Sequence, residues 1–391
     1  MAEQIPGELM QWGGGTETTF GAGGASNPAA GDAFDHLSAD VGALPMRVIL
    51  QNDEKSGYRT KKAGFQGWFD PRQIKMSIYA KGSGVATTQV DYAFLFKAAG
   101  FTETVGGSSV SYARSGDPTS SNISAWLWGV SSGGEIGKSI SGAIMTQIAL
   151  TAENESKIEF TGEAAKSSVI YKTTLGSTIS ISDPTITLSA GHGWVVEGAP
   201  VYFQIDSEIF KGASISGNVV TLSGTASAGH TAGVNVTAYG PSRTVSAADP
   251  LSSVLFSFDL NAGSEDIQYE KIKVDIKTGM KLLDKEAGEA YRTGYIGENP
   301  GADAARYTVD MHYTVGASSV AKLAAYAAGN TSKSALCTLG TATGNIITIA
   351  STDARIPEPP NAPEPDSGPV KATFIFQGHS ASGADIAIVT K

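Results

Sequence analysis

Residues 73–82, QIKMSIYAKG, place Ile74, Met76, Ile78 and Ala80 at alternate positions, with Lys75, Ser77 and Tyr79 between them. Alternation with period two predicts a strand with one buried face and one wet face. The next stretch, QVDYAFLFKAAGF (89–101), changes period. Val90, Phe94, Leu95 and Ala98 fall on one side of a short helix, and Gly100 is placed to end it with a left-handed cap. The same succession recurs later. RYTVDMHYTV (306–315) alternates Tyr307, Val309, Met311 and Tyr313 against polar positions, and SVAKLAAYAAGN (319–330) reads as a helix stopped by Gly329. KIEFTG (157–162) and TFIFQG (373–378) form a matching pair of closing strands. Upstream of the second set, KIKVDIK (271–277) turns Ile272, Val274 and Ile276 inward, and MRVILQNDEKSGYRTKKAG (46–64) holds the equivalent place before the first. Each half thus reads as strand, long charged loop, strand, helix and further strands, an internal repeat.

Between the halves lies a stretch with few charges. There APVYFQIDSEIFKGASISGNVVTLSG places Gly217-Asn218 between short apolar strands, a hairpin signal. These boundaries divide the chain into a Gly-rich N-terminal arm (1–44), a first repeat (45–171), an inserted small β domain (172–245) and a second repeat (246–391). QWGGGTETTFGAGGASNPAAGDA (11–33) has few core-forming residues and predicts a flexible arm that orders against a neighbour. RIPEPPNAPEPDSGP (355–369) carries six prolines and predicts a stiff extended loop.

Composition strengthens the β reading. Of 391 residues, 47 are Gly and only 17% are charged, against about 25% in an ordinary globular chain. Short strands joined by turns suit that mixture better than long helices. The net charge of −10 argues against a protein built to grip nucleic acid, while allowing DNA to pass without sticking. Cys337 is the one cysteine, so neither an intrachain disulfide nor a Cys-rich metal site is available. MAEQIPGELMQWGGG has neither a basic nor an apolar signal region, and no run approaches 18 apolar residues. No signal peptide and no membrane segment are expected, and folding in a cytoplasm is.

The search for chemistry returns little. SSGGEIGKSISG (131–142) has the Gly137-Lys138-Ser139 ending of a phosphate-binding loop, but Ser132 stands where its first glycine belongs. Gly142 also falls in what would be the first turn of the following helix. The stretch reads as a Gly-rich turn between strands, with Lys138 as polar trim and GTATGN (340–345) as its counterpart. His36, His192, His230, His312 and His379 are scattered without ligand spacing, and Cys337 beside Leu336 and Leu339 reads as a small buried residue. Asp284, Glu286 and Glu289 mix with lysines and read as a solvated or subunit-contact loop. Lys55, Arg59, Lys61 and Lys62, with Tyr58, read as the partner of acidic loops on a neighbour. Trp68 and Phe69 cluster, and Trp126 and Trp128 share a strand face. Packing is the first reading of these rings and a carbohydrate platform the alternative. No catalytic, cofactor or metal site is expected, and the chain is read as not an enzyme.

The run KKAGFQGWFDPRQIKMSIYAKGSG…DYAFLFKAAGF resembles the strand–loop–strand–helix block of phage tail tube proteins. The segments VSYARSGDPTSSNISAWLWGVSSGGEIGKSISGAIMTQIALTAENESKIEFTG and LGTATGNIITIASTDARI…GPVKATFIFQG resemble the segments that follow it. GHTAGVNV at the end of the insert is similar to small β modules of phage structural proteins. The resemblance covers about 45–165 and 250–391. It implies a mainly β fold: two tail-tube-like sandwich or barrel domains, each with one flanking helix, plus an inserted decoration domain. It further implies a structural virion protein in the tail, assembled in the host cytoplasm, whose rings stack into a conduit for genome ejection. Its partners would be its own copies, as homotrimeric pseudo-hexameric or hexameric rings, together with the tape measure and the tail terminator or tail tip proteins. Double-stranded DNA would cross an acidic lumen without specific binding. The alternative from the residues is a receptor- or carbohydrate-binding phage structural protein.

Overall fold

The computed structural model describes residues 10–41, 47–52, 62–114, 124–152, 155–242, 248–251, 256–260, 269–283, 291–297, 305–312, 333–355, 371–378 and 386–391. The expected helix at 319–329, most of the basic run at 55–62, the acidic cluster at 284–289 and nearly all of the proline-rich segment lie outside these residues.

The described chain is mainly β. It opens with β1 (Met10–Thr16), β2 (Ala33–Phe34), β3 (Ser38–Val41), β4 (Arg47–Asn52), β5 (Lys62–Phe69) and β6 (Arg72–Tyr79). Helix α1 (Ala93–Ala98) and strands β7 (Phe101–Val105), β8 (Val110–Arg114), β9 (Ala125–Ser131), β10 (Ile136–Ala152) and β11 (Ser156–Tyr171) follow. The middle region holds β12 (Thr173–Thr174), β13 (Thr185–Thr187), β14 (Val195–Glu197), β15 (Val201–Ile205), β16 (Glu208–Ser216), β17 (Val219–Leu222) and β18 (Asn235–Ala238). Next come β19 (Phe256–Leu260), β20 (Tyr269–Lys277), β21 (Met280–Leu282), β22 (Tyr295–Gly297) and β23 (Ala305–His312). The chain closes with β24 (Lys333–Ala342), β25 (Asn345–Arg355), β26 (Lys371–Gly378) and β27 (Ile386–Thr390).

Two antiparallel series correspond strand for strand. The first runs β1-β9-β10-β11-β6-β3. The second runs β19-β24-β25-β26-β23-β20. Even the register corresponds, with Ile78 opposite Ile158 in one and Val309 opposite Phe374 in the other. The series fuse into one sheet because β20 pairs with the far end of β10, while β27 pairs with both β25 and β8. A small hairpin leaves each series at the same point: β4–β5 between β3 and β6, and β21–β22 between β20 and β23.

This corrects the expected equivalence of 46–64 with 271–277. The strand that takes the place of β20 is β3, whereas β4 pairs with β5 in a hairpin of its own. Ser38–Val41 is four residues long with one apolar position, Val41, that is buried. It is too short for an alternation signal, and neighbouring strands tend to pair locally.

One contiguous core underlies both series. It includes Ile74, Met76 and Ile78 of β6, Ile158 and Phe160 of β11, Ile272, Val274 and Ile276 of β20, and Cys337, Ile349 and Ile388. Helix α1 belongs to this core and does not flank it: Ala93, Phe94, Leu95, Phe96 and Ala98 are all buried. Six residues that are apolar nearly all round have no wet face to offer. Gly100 ends the helix at φ +83°, as expected.

The Gly-rich arm is likewise no free arm over its described part. β1 runs antiparallel to β9 from Met10 opposite Ser131 to Thr16 opposite Ala125. Its glycines are there because indoles lie on the backbone. A Cβ at Gly13 would sit 2.3 Å from Cζ2 of Trp128 and 2.7 Å from the Asp32 carbonyl oxygen. Buried Glu17 fastens the following loop, accepting hydrogen bonds from the N–H groups of Gly21, Gly23 and Gly142 and from the Ser124 hydroxyl. Burial pushes its pKa up, against the pull of those donors.

The middle region forms its own six-stranded sheet, β12-β18-β15-β16-β17-β13, around Ile186, Phe203, Val220 and Val236. Gly217, at φ +58°, makes the expected turn between β16 and β17. β14 leaves this sheet to pair with β11. Tyr202 packs with Ala33, Trp126 and Trp128 of the body, and Lys211 donates to the Gly24 carbonyl at 2.6 Å.

Gly13→Ala should destabilise the protein by about 1–3 kcal/mol through overpacking. Gly31→Ala, where nothing lies within 4 Å of the added methyl, should stay within about 0.5 kcal/mol. Denaturant midpoints of the two variants test this.

Candidate functional site: a polar sheet face shared by both series

Seven strands lie side by side in the order β3-β6-β11-β10-β20-β23-β26. Their period-two alternation sends one set of side chains into the core and the other to the opposite face. Register aligns that second set into rows. One row runs Ser38, Ser77, Glu159, Ala149, Asp275 and, by position, Arg306 and Gln377. The next runs Asp40, Lys75, Thr161, Gln147 and Lys277. A third runs Tyr79, Lys157, Thr151, Lys273 and, by position, Thr308 and Ile375.

Charges on this face pair across and along strands. Lys75 Nζ lies 3.6 Å from Glu159 Oε2, and Lys273 Nζ lies 2.9 Å from Asp275 Oδ2. Gln73 Nε2 donates to Glu163 at 2.9 Å, and Gln147 Nε2 donates to Asp275 at 3.3 Å across the β10–β20 joint. Among residues whose side chains are described, Lys75, Lys157, Lys273 and Lys277 face Asp40, Glu155, Glu159, Glu163 and Asp275, four cations against five anions, with Lys157 Nζ 3.3 Å from Glu155 Oε2. Such exposed pairs add about 0–1 kcal/mol each. Their effect is to leave an extended wet surface with almost no net field.

Other sequence-derived candidates fall elsewhere. Gly137-Lys138-Ser139 lies within β10 and not in the turn: Lys138 stands opposite Gly129 of β9 and Val169 of β11. A backbone paired on both edges has no N–H groups left to cradle a phosphate. Lys138 is also no mere trim, because burial lowers its pKa against the opposing charge of Asp40. Trp126 and Trp128 are 5% and 1% exposed, so they pack and offer no sugar platform. Buried Cys337 has its thiol pKa pushed up by burial. His36 contacts Phe34 edge-on, His192 packs edge-on with Trp194, and His379 lies outside the described residues. His312 is described only as a backbone position in β23, opposite Lys371. Among the described residues, no group of three side chains could hold a metal, and no helix is long and apolar enough to cross a membrane. No family model matches the chain, and no curated protein matches it.

His192 accepts from the Trp194 N–H at 2.9 Å, whereas His230 meets two carboxylates. Its ring lies 2.8 Å from both Asp206 Oδ2 and Glu208 Oε2, and Glu208 also accepts from the N–H groups of Ser227 and Ala228. Burial alone would lower the His230 pKa, but Glu208 and Asp206 overcome it and hold it above 6.5. Burial would raise the Glu208 pKa, but its donors hold it below 4.5. The histidine therefore stabilises fully below pH 6.5 and loses that effect as pH rises through its folded value. The glutamate stabilises above pH 4.5 and loses its effect as pH falls through its own. The middle region should melt highest between pH 4.5 and 6.5, and His230→Asn should flatten the fall on the alkaline side. Scanning calorimetry across pH, comparing the parent with His230→Asn, checks both.

Proposed function

We propose that this chain is a major tail tube subunit of a bacteriophage. On this reading it is a tandem duplicate of a tube domain carrying an inserted decoration domain. The observation that carries the reading is the seven-stranded sheet that crosses from one series to the other through β10–β20, with a largely polar face over β3, β6, β11, β10 and β20. The two matched strand orders support the duplication. Three copies then supply six domains to a pseudo-hexameric ring.

The dimensions suit a conduit. Three copies of seven strands make about 21 strands, or about 100 Å of sheet at about 4.8 Å per strand. With a tilt of about 40°, such a wall closes at roughly 40 Å across the backbone, leaving a water-filled lumen once side chains are subtracted. Closure removes exposed strand edges and their hazard of indiscriminate pairing. On this reading the described face lies close to charge balance, with one carboxylate in excess. Balance also suits passage, since paired charges neither hold phosphates nor repel them over distance. The inserted domain sits at the other end of β10 and β11 and decorates the outside, while the virion partners remain the neighbouring rings, the tape measure and the terminator or tip.

Negative-stain microscopy of concentrated protein should reveal hollow tubes with three chains per ring. Six chains per ring would refute the duplicate-domain trimer, and a protein that forms no rings at any concentration would refute the conduit. Gln147→Arg with Thr151→Lys should give tubes that retain duplex DNA at low salt and release it as salt rises, whereas the parent tubes retain none; a filter-retention assay reads the difference.

A further inference from the structure

Outside the polar face, one cluster brings a buried amine against two carboxyls. Lys81 is 4% exposed, and its Nζ touches Oδ2 of Asp35. Oδ2 of Asp91 lies 3.8 Å from the same Nζ. Each of the three adjoins a core residue in sequence: Phe34 before Asp35, Ala80 before Lys81 and Tyr92 after Asp91, none more than 1% exposed. The surrounding backbone is fixed as well. Tyr92 Oη donates to the Lys81 carbonyl at 2.8 Å, and the Leu251 N–H donates to the Ala80 carbonyl at 2.9 Å. Burial raises the Asp91 pKa, helped by the nearby Asp35 charge and opposed by Lys81 and by the Asp35 and Tyr92 N–H groups.

An ion pair in such a place carries a desolvation cost that its attraction only partly offsets. A reaction that turns both charges into one neutral amide removes that cost. It also gains from reactants already held in contact, where effective molarities are very high.

We infer that Lys81 and Asp35 condense into an intramolecular isopeptide bond, with Asp91 relaying a proton. The Lys81 ammonium gives up a proton, and the free amine attacks the Asp35 carboxyl carbon, forming the C–N bond. That first proton passes to the Asp35 carboxyl oxygen that Nζ touches. Once the C–N bond has formed, Asp91 takes a second proton from the nitrogen and returns it to the same oxygen, so Asp91 ends as it began. The carboxyl C–O bond then breaks, and the oxygen leaves as water with the two protons that the nitrogen has lost. An ammonium and a carboxylate become an amide and one water, with no oxidant, reductant or activating group required. The crosslink would close a loop that holds β4 and β5 and would tie the entry of β3 to the exit of β6.

Mass spectrometry of the whole denatured chain tests this directly. The expected mass is below the sequence mass by one water. Trypsin should fail to cut after Lys81, and the peptide holding Asp35 should be found joined to the peptide holding Lys81. Asp91→Ala, Asp35→Ala and Lys81→Arg should each restore the full sequence mass in protein whose circular dichroism is unchanged. A folded parent protein with full sequence mass and normal cleavage after Lys81 would overturn the bond, whatever the variants do. A bond to Asp91 in place of Asp35 would overturn the assignment, and an Asp91→Ala protein that crosslinks completely would overturn the role of Asp91.

Discussion

Everything in the body hangs on the pairing of β10 along both of its edges. Over its 17 residues it holds β11 on one side throughout, and on the other side it holds first β9 and then β20. The change of partner falls where the register slips, between Ile140 and Ala143 and again between Met145 and Gln147, with Gly142 at φ +63° in between. A bulge bends and twists a strand locally, and here it lets one edge serve two sheets in turn. A straight, uninterrupted β10 would have paired with one neighbour and left the two series joined only through β27.

The core and the polar face are two readings of the same alternation. Ile148, Leu150 and Ala152 lie opposite Ile276, Val274 and Ile272 on one side, while Gln147, Ala149 and Thr151 lie opposite Lys277, Asp275 and Lys273 on the other. A register shift of one residue would exchange the two sets. The apolar side therefore enforces the polar rows, and the rows need little pairing energy of their own to stay in order.

What was legible in the chain follows from signal length. β6 and β20 carry several alternations each, and they were readable as strands with the correct inner faces; KIEFTG was readable as a strand and lies in β11. Gly100 and Gly217 announced their turns because only a residue at ease with positive φ fits there. β3 was not legible, because Ser38–Val41 is too short for a pattern and its place comes from β6. The glycines of β1 misled for a physical reason: they suggest flexibility in sequence, yet they are the spaces into which Trp126 and Trp128 fit. Lys138 misled through its neighbours, since a Gly-Lys-Ser triplet has the same letters in a strand as in a phosphate loop. The rows of the polar face and the meeting of Asp35 with Lys81 depend on contacts between distant positions, 128 apart for Gln147 and Asp275 and 46 apart for Lys81 and Asp35, about which local periodicity is silent.

The middle region enters and leaves its own sheet side by side. β12 and β18 are paired neighbours, with Thr173 opposite Val236 and Thr174 opposite Asn235. Its core is built mainly from its own residues, with Ile170 of β11 joining them, and the ladder β15-β16-β17 joins strands close in sequence. Once that unit has formed, residues 173–236 span no more distance than a tight turn does. For the folding chain, the search that brings β20 to β10 then runs over a loop shortened by that whole length, with a correspondingly smaller closure entropy. What looks like an ornament in the finished molecule thus acts as a kinetic shortcut in making it.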